Sequence, residues 1–263
     1  MHTCSAPPAS GAVIEVRDLV KRYRGAPANA VDGISFTVPA GQLFCLRGPN
    51  GAGKTTTVSV LTTALAPTSG QVRIAGWELP AQRAQVRGDI GIVFQQPSLD
   101  LNLTAEENVR MHAVLYRLYP WRPLQRLMPA GYQQAVAGLA KMLGLEQSLG
   151  MPARSLSGGM RRKLEILRAL LHQPRVLFLD EPATGLDPES RRSLWEHLRQ
   201  ARTRTGTTIV LTTHYLEEAE AADTVCVLAQ GRIFEQGSPA ELKARHGSTR
   251  LEDAYLRLLG DAR

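Results

Sequence analysis

The residues Gly48-Pro49-Asn50-Gly51-Ala52-Gly53-Lys54-Thr55 fit the pattern GxxxxGK[ST] and lie between an apolar run, LFCLR, and a helical stretch. Glycines at these positions let successive backbone N–H groups turn inward as an anion nest. The helical stretch that opens at Gly53 and continues through Thr56 adds the positive end of its dipole. In this setting the Lys54 ammonium reaches the outer phosphates of a nucleotide, and the Thr55 hydroxyl coordinates Mg²⁺. A glycine turn alone would mean little. Flanked by strand and helix, it reads as a phosphate cradle.

Two further motifs take their meaning from the cradle. Four apolar residues, 176–179, lead into Asp180-Glu181. A buried strand that ends in a carboxylate can hold the metal shell through Asp180. The next carboxylate, Glu181, points to the other side of the chain and can polarise an attacking water. Leu156-Ser157-Gly158-Gly159-Met160 reads as a helix start, with Ser157 as N-cap and two glycines that leave backbone N–H groups open.

This order of cradle, LSGG helix and apolar-DE strand resembles the ABC ATPase family, over roughly residues 13–240. The resemblance implies a P-loop NTPase core of α/β class with a mixed, partly antiparallel N-terminal sheet and an inserted helical subdomain. It implies MgATP as ligand and ATP hydrolysis as activity. Tyr23 matches the aromatic residue on which the family stacks adenine. Gln95 matches the glutamine that contacts Mg²⁺ and links to the helical part. Gly185-Leu186-Asp187 matches the loop that crosses to a second subunit, and His214 matches the histidine at the γ-phosphate. Ser157, Gly158 and Gly159 would then touch the ATP held by the facing copy. The family's signature ends in glutamine, whereas Met160 stands here and offers no hydrogen-bond donor. Arg161-Arg162-Lys163, LTAEENV and LEDAYLRLLG resemble the bacterial drug-exporter type.

On that resemblance the chain is an ATP-hydrolysing subunit that closes head to tail with a second copy and drives a separate transmembrane permease. It would sit peripherally at the cytoplasmic face of the membrane. An importer subunit and an ABC ATPase acting on nucleic acid or ribosomes are the alternatives; no nucleic-acid partner is expected.

Composition agrees with a folded, reduced protein. The 263 residues are 43% hydrophobic and 21% charged, enough for a sizeable core without disulfides. No run approaches a membrane span, and residues 1–11 read as a frayed lead-in without the pattern of a secretory signal. Cys4, Cys45 and Cys226 have no CxxC spacing, and the last two sit in apolar runs where cysteine acts as a small hydrophobe. The net charge of +7 rests on 26 arginines and five lysines spread along the chain.

The elements that must position these groups follow from periodicity. Strands are expected at 12–16, 33–38, 42–47, 71–75 and 90–94, with a helix over 53–65. Thr104 and Glu107 form a capping box. Helices follow over 133–143 and 158–171. Thereafter strands at 176–179, 208–212, 224–228 and 232–235 alternate with helices at 188–203, 216–222 and 239–245, and 251–259 reads as a last helix. The expected organisation is one domain, 12–247, whose core comprises 12–97 and 173–247, with a helical subdomain at 98–172 and a tail at 248–263. Residues 116–132 are basic, aromatic and broken by Pro120, Pro123 and Pro129. They fit a docking surface for a membrane subunit or lipid headgroups, with Tyr119, Trp121 and Tyr132 as anchors and Arg117, Arg122 and Arg126 meeting acidic groups. They equally fit a solvated loop.

Overall fold

The structure is a computed structural model that describes residues 11–261. Cys4 and most of the expected lead-in lie outside the described residues. Two sheets carry the fold. Strands β1 (Ala12–Lys21), β2 (Val31–Pro39), β4 (Ser69–Ile74) and β5 (Trp77–Leu79) form an antiparallel sheet in the order β2-β1-β4-β5. In β2, buried Ile34, Phe36 and Val38 alternate with exposed neighbours, the signature of a sheet wetted on one face.

The second sheet contains β3 (Leu43–Arg47), β6 (Ile90–Val93), β7 (Val176–Asp180), β8 (Thr208–Thr212), β9 (Thr224–Ala229) and β10 (Arg232–Gly237). Its order is β10-β9-β3-β8-β7-β6, parallel except for β10. Strands β3, β7 and β8 are buried at every residue, because layers cover both faces. Phe44 and Leu46 face the antiparallel sheet and α1 (Lys54–Leu61), where Phe44 stacks on Phe36 at 5.2 Å. Leu43 and Cys45 face the opposite way, into a core shared with the helices.

Those helices are α3 (Ala105–Leu115), α4 (Ala130–Leu143), α5 (Gly158–Leu170), α6 (Pro188–Thr205), α7 (Leu216–Glu220), α8 (Pro239–Arg245) and α9 (Leu251–Asp261); α2 (Arg83–Asp89) packs beside β5 and β6. The capping box is present: the Glu107 backbone donates to Thr104 Oγ1 at 3.2 Å, and the Thr104 backbone donates to Glu107 Oε2 at 2.8 Å. Pro188 opens α6 at its first turn, where no N–H is needed. Helix α9 packs on the body through Leu251, Ala254 and Leu258. Tyr255 there lies under the Arg47 guanidinium at 4.4 Å.

Local expectations and structure differ at a few places, each with a physical cause. Helix α1 stops at Leu61, because Thr62 Oγ1 donates to the Val58 carbonyl and Thr63 turns left-handed at φ 65°. Strand β1 extends to Lys21, since bulges keep it paired to β2 and β4. Pro129 caps α4 instead of interrupting it, so the helix starts at Ala130. Strand β5 and helix α2 were not foreseen; α2 buries only Val86, too little for a readable period.

The described residues contain no helix long and apolar enough to cross a membrane. Cys45 and Cys226 are free and buried, and burial pushes the Cys45 thiol up to about 12. Neither suits thiolate chemistry.

Candidate nucleotide-binding site

The site lies at the carboxyl ends of the parallel strands, where loops leave a doubly covered sheet. The chain leaves β3 through the glycine loop into α1. A Cβ at Gly48 would stand 2.2 Å from the Leu228 carbonyl oxygen, and one at Gly53 would stand 2.5 Å from that of Ala30. Gly53 is also left-handed, with φ 99°. These two positions admit only glycine. Gly51 has open space around it, so its need is conformational alone, at φ 79°. Pro49 and Asn50 are exposed at the tip, and Ala52 is buried beneath it.

Lys54 is buried and folds over this loop, donating to the carbonyls of Gly48 at 2.7 Å and Pro49 at 3.0 Å. Burial pulls its ammonium below the ordinary lysine range, while Glu181 and Asp180 oppose that shift. Thr55 is exposed at the helix start, and Thr56 Oγ1 lies 3.3 Å from the Tyr23 hydroxyl. Tyr23 is half exposed beside the loop, with Lys21 Nζ 5.8 Å from its ring centre. Lys54→Ala is expected to weaken ATP binding roughly 10- to 100-fold, the worth of a charged hydrogen-bond donor. Equilibrium titration with a fluorescent ATP analogue measures this; unchanged affinity would remove Lys54 from the phosphate site.

Strand β7 brings the carboxylates. Asp180 pairs in register with Thr212 of β8, whose Oγ1 donates to Asp180 Oδ1 at 2.5 Å. Glu181 sits left-handed at φ 47°, a conformation costly for a residue with a side chain. Its carboxylate meets His214 Nε2 at 2.6 Å through Oε1. Through Oε2 it accepts from Gln95 Nε2 at 3.0 Å and Thr184 Oγ1 at 3.2 Å. Gln95, Glu181 and His214 come from the ends of three different strands, β6, β7 and β8. The fold brings all three together.

The loop carrying His214 is fixed from α6. Buried Glu218 accepts from Thr213 Oγ1 and, at 2.9 Å, from Trp195 Nε1. Burial raises its carboxyl above the ordinary glutamate range, and both hydrogen bonds oppose this. Arg191 stacks 3.7 Å over the ring of Tyr215, the residue after His214.

The LSGG residues lie elsewhere on the chain. Ser157 caps α5, accepting from the Met160 backbone at 3.2 Å. Among the described residues no hydrogen bond joins residues 157–159 to the glycine loop. Gly159 has a packing reason of its own: a Cβ there would meet Ser190 Oγ at 2.9 Å. Met160 is half buried against the helical core. Asp187 caps α6 by accepting from the Ser190 backbone at 2.9 Å, and Ser190 holds its carboxyl below the usual range.

Sequence reasoning named Arg162 only as part of the run Arg161-Arg162-Lys163 and gave it no role in the site, whereas the structure makes it the local hub. Its Nε donates to the Pro182 carbonyl at 2.8 Å, and its Nη1 to the Phe94 carbonyl at 2.6 Å and Glu165 Oε2 at 3.0 Å. Its Nη2 reaches the carbonyls of Asp180 at 3.3 Å and Glu181 at 3.1 Å. Glu165 Oε1 in turn accepts from the Ser98 backbone at 2.7 Å. This pair ties the Asp180-Glu181 exit, the Gln95 segment and α5 to one another. Within the sequence it is one basic residue among three, with no local signal.

A glycine nest at the end of β3, with β8 between it and a buried strand ending in paired carboxylates, defines a P-loop NTPase. The chain belongs to the ABC transporter family, whose profile matches residues 31–184. It is 42% identical over 231 residues to the Nod factor export ATP-binding protein I of Ralstonia nicotianae, spanning 88% of this chain and 68% of that one. It is 41% identical over 249 residues to the daunorubicin/doxorubicin resistance ATP-binding protein DrrA of Streptomyces peucetius, spanning 93% and 72%. A dimeric ATP-binding cassette, solved in a post-hydrolysis state with ADP and Pi, superposes with a TM-score of 0.73 at 25% identity, over 86% of this chain and 98% of that one. The chain is an ABC transporter ATPase subunit that binds and hydrolyses ATP.

Proposed function

We propose that the chain drives export of a substrate through a separate transmembrane permease, on the cytoplasmic side of the membrane, by closing and opening with a second copy of itself. The observation that carries the chemical part is the Glu181 carboxylate, held between Gln95 and His214 beside the phosphate loop. Glu181 takes the proton of the attacking water, His214 fixes the carboxylate and the outer phosphate, and Lys54 holds the outer phosphates during transfer. Tyr23 offers a face for adenine.

The residues fit Mg²⁺, a hard cation that takes oxygen donors and keeps several waters. The Thr55 hydroxyl is exposed at the start of α1, and Asp180 is a buried carboxylate oriented by Thr212. Gln95 offers a third oxygen. Bound there, Mg²⁺ would neutralise phosphate charge.

The ATP held by one copy would be sealed by Ser157, Gly158 and Gly159 of the other, with Asp187 in the crossing loop. The outward position of Ser157, without bonds to its own glycine loop, supports this reading. So does the dimeric cassette that the chain resembles. Export is supported by the relatives named for Nod factor export and for daunorubicin/doxorubicin resistance. Residues 98–172, which run between β6 and β7, would act as the lobe that faces the permease, and 12–97 with 173–247 as the ATP-binding lobe. Ser157→Arg is expected to abolish ATP-dependent dimerisation on a Glu181→Gln background, because the guanidinium crowds the outer-phosphate seat. Size-exclusion chromatography with MgATP reads this; a dimer that persists would rule out a trans-acting LSGG helix.

A further inference from the structure

The connector between α3 and α4 has a surface that ATP chemistry does not explain. From residue 111 to 145 the chain has no aspartate or glutamate, while Arg117, Arg122, Arg126 and Lys141 are basic. Within that stretch Met111, Leu115, Tyr116, Trp121, Leu124 and Leu127 are exposed large apolar residues, and Trp121 is 63% exposed. All eight residues from 120 to 127 are exposed. Among the described residues, Arg117, Arg122 and Arg126 enter no ion pair.

This surface is built on a fixed base. Beneath it Tyr132 is fully buried, its hydroxyl donating to Glu106 at 2.8 Å, so the expectation that Tyr132 anchors at an interface is wrong. The phenol finds a carboxylate on α3, and its ring packs edge-on against Tyr119 at 5.5 Å. Met128 is buried beside it. Arg110, paired with Glu106 at 3.4 Å, donates to the Arg122 carbonyl at 3.2 Å. Gln133 Nε2 donates to the Met128 carbonyl at 2.8 Å. The chain is therefore held from below while its apolar and cationic side chains face out. A run of eight exposed residues is a ridge, without the half-covered side chains that line a groove for a peptide or helix.

We propose that this ridge, centred on Trp121, Leu124 and Leu127 with Arg117, Arg122 and Arg126, binds the anionic headgroup surface of a lipid bilayer. Indole and leucine side chains enter the interface, and the arginines keep their heads among lipid phosphates while their stems lie along apolar surface. A basic residue near an anionic leaflet strengthens binding about fivefold, so three give roughly a hundredfold. The proposal rests on this surface alone and is independent of the reading of the ATP site.

The test is flotation of the full chain with phosphatidylcholine vesicles, with and without phosphatidylglycerol, at low and high salt. Binding is expected only with phosphatidylglycerol, and weakened by salt. Replacing Arg117, Arg122 and Arg126 together by glutamine should weaken it about a hundredfold. Replacing Trp121, Leu124 and Leu127 together by serine should also release the protein. Both variants should keep wild-type ATP affinity and melting temperature, since every altered side chain is exposed. A control with Arg73, Arg83 and Arg204, exposed elsewhere, changed to glutamine should bind like the wild type. Equal loss in the control would reduce the effect to net charge and overturn the proposal. So would failure to bind phosphatidylglycerol vesicles, or binding only to membranes that carry the permease, which would make the ridge a protein-docking surface.

Discussion

Glu181→Gln is expected to hold MgATP with wild-type affinity and to release phosphate roughly 10²- to 10⁴-fold more slowly, the usual worth of a positioned general base. The carboxylate accepts at both oxygens, from Gln95 and Thr184 on one side and against His214 on the other. An amide keeps the shape but presents an NH₂ on one side, so it neither takes the water's proton nor satisfies every neighbour. ATP then persists in the site and the closed dimer accumulates. Steady-state phosphate release beside equilibrium ATP binding separates the two effects. Turnover at the wild-type rate would remove Glu181 from the base role.

Arg162→Ala is expected to cost about 3–5 kcal/mol of stability, the loss typical of breaking a buried ion pair from one side. Arg162 is 7% exposed and Glu165 is 3% exposed, so truncation takes the directly bonded cation from a buried carboxylate and leaves it the Ser98 hydrogen bonds and the charge of Arg168 nearby. It also strips donors from the carbonyls of Phe94, Asp180, Glu181 and Pro182. Arg162→Met combined with Glu165→Leu should unfold at higher urea than Arg162→Ala, because no charge is then stranded. Urea titration followed by circular dichroism gives the comparison. A loss under about 1 kcal/mol for Arg162→Ala would mean that the hub is not coupled to the fold.

Much of the site is local and was therefore readable. The phosphate loop is a contiguous run, so spacing alone points to Lys54 and Thr55, whereas the close approach that demands glycine at 48 and 53 comes from the distant carbonyls of Leu228 and Ala30. The Thr104–Glu107 box and the proline-led starts of α6 and α8 are likewise decided within four residues. Buried strands β7 and β8 announced themselves by unbroken apolar runs. Residues 116–132 show the limit. The prolines and aromatics mark an irregular segment, but aromatic type does not say which ring is outward. Tyr132 goes inward because Glu106, on another helix, accepts its hydrogen bond.

By itself the sequence determined where phosphate and metal chemistry could occur, because those groups sit in short motifs whose backbone geometry is set by their own glycines, caps and strand ends. Only the tertiary structure decided what those groups meet. Gln95 reaches Glu181 across 86 residues because the order β8-β7-β6 sets their strand ends side by side. Arg162 becomes a hub because α5 crosses behind those same ends, and a side chain at Gly159 would crowd Ser190 because α6 passes there. Strand order and helix crossing depend on which buried faces find one another. A one-dimensional pattern records that a face is apolar and leaves its partner open.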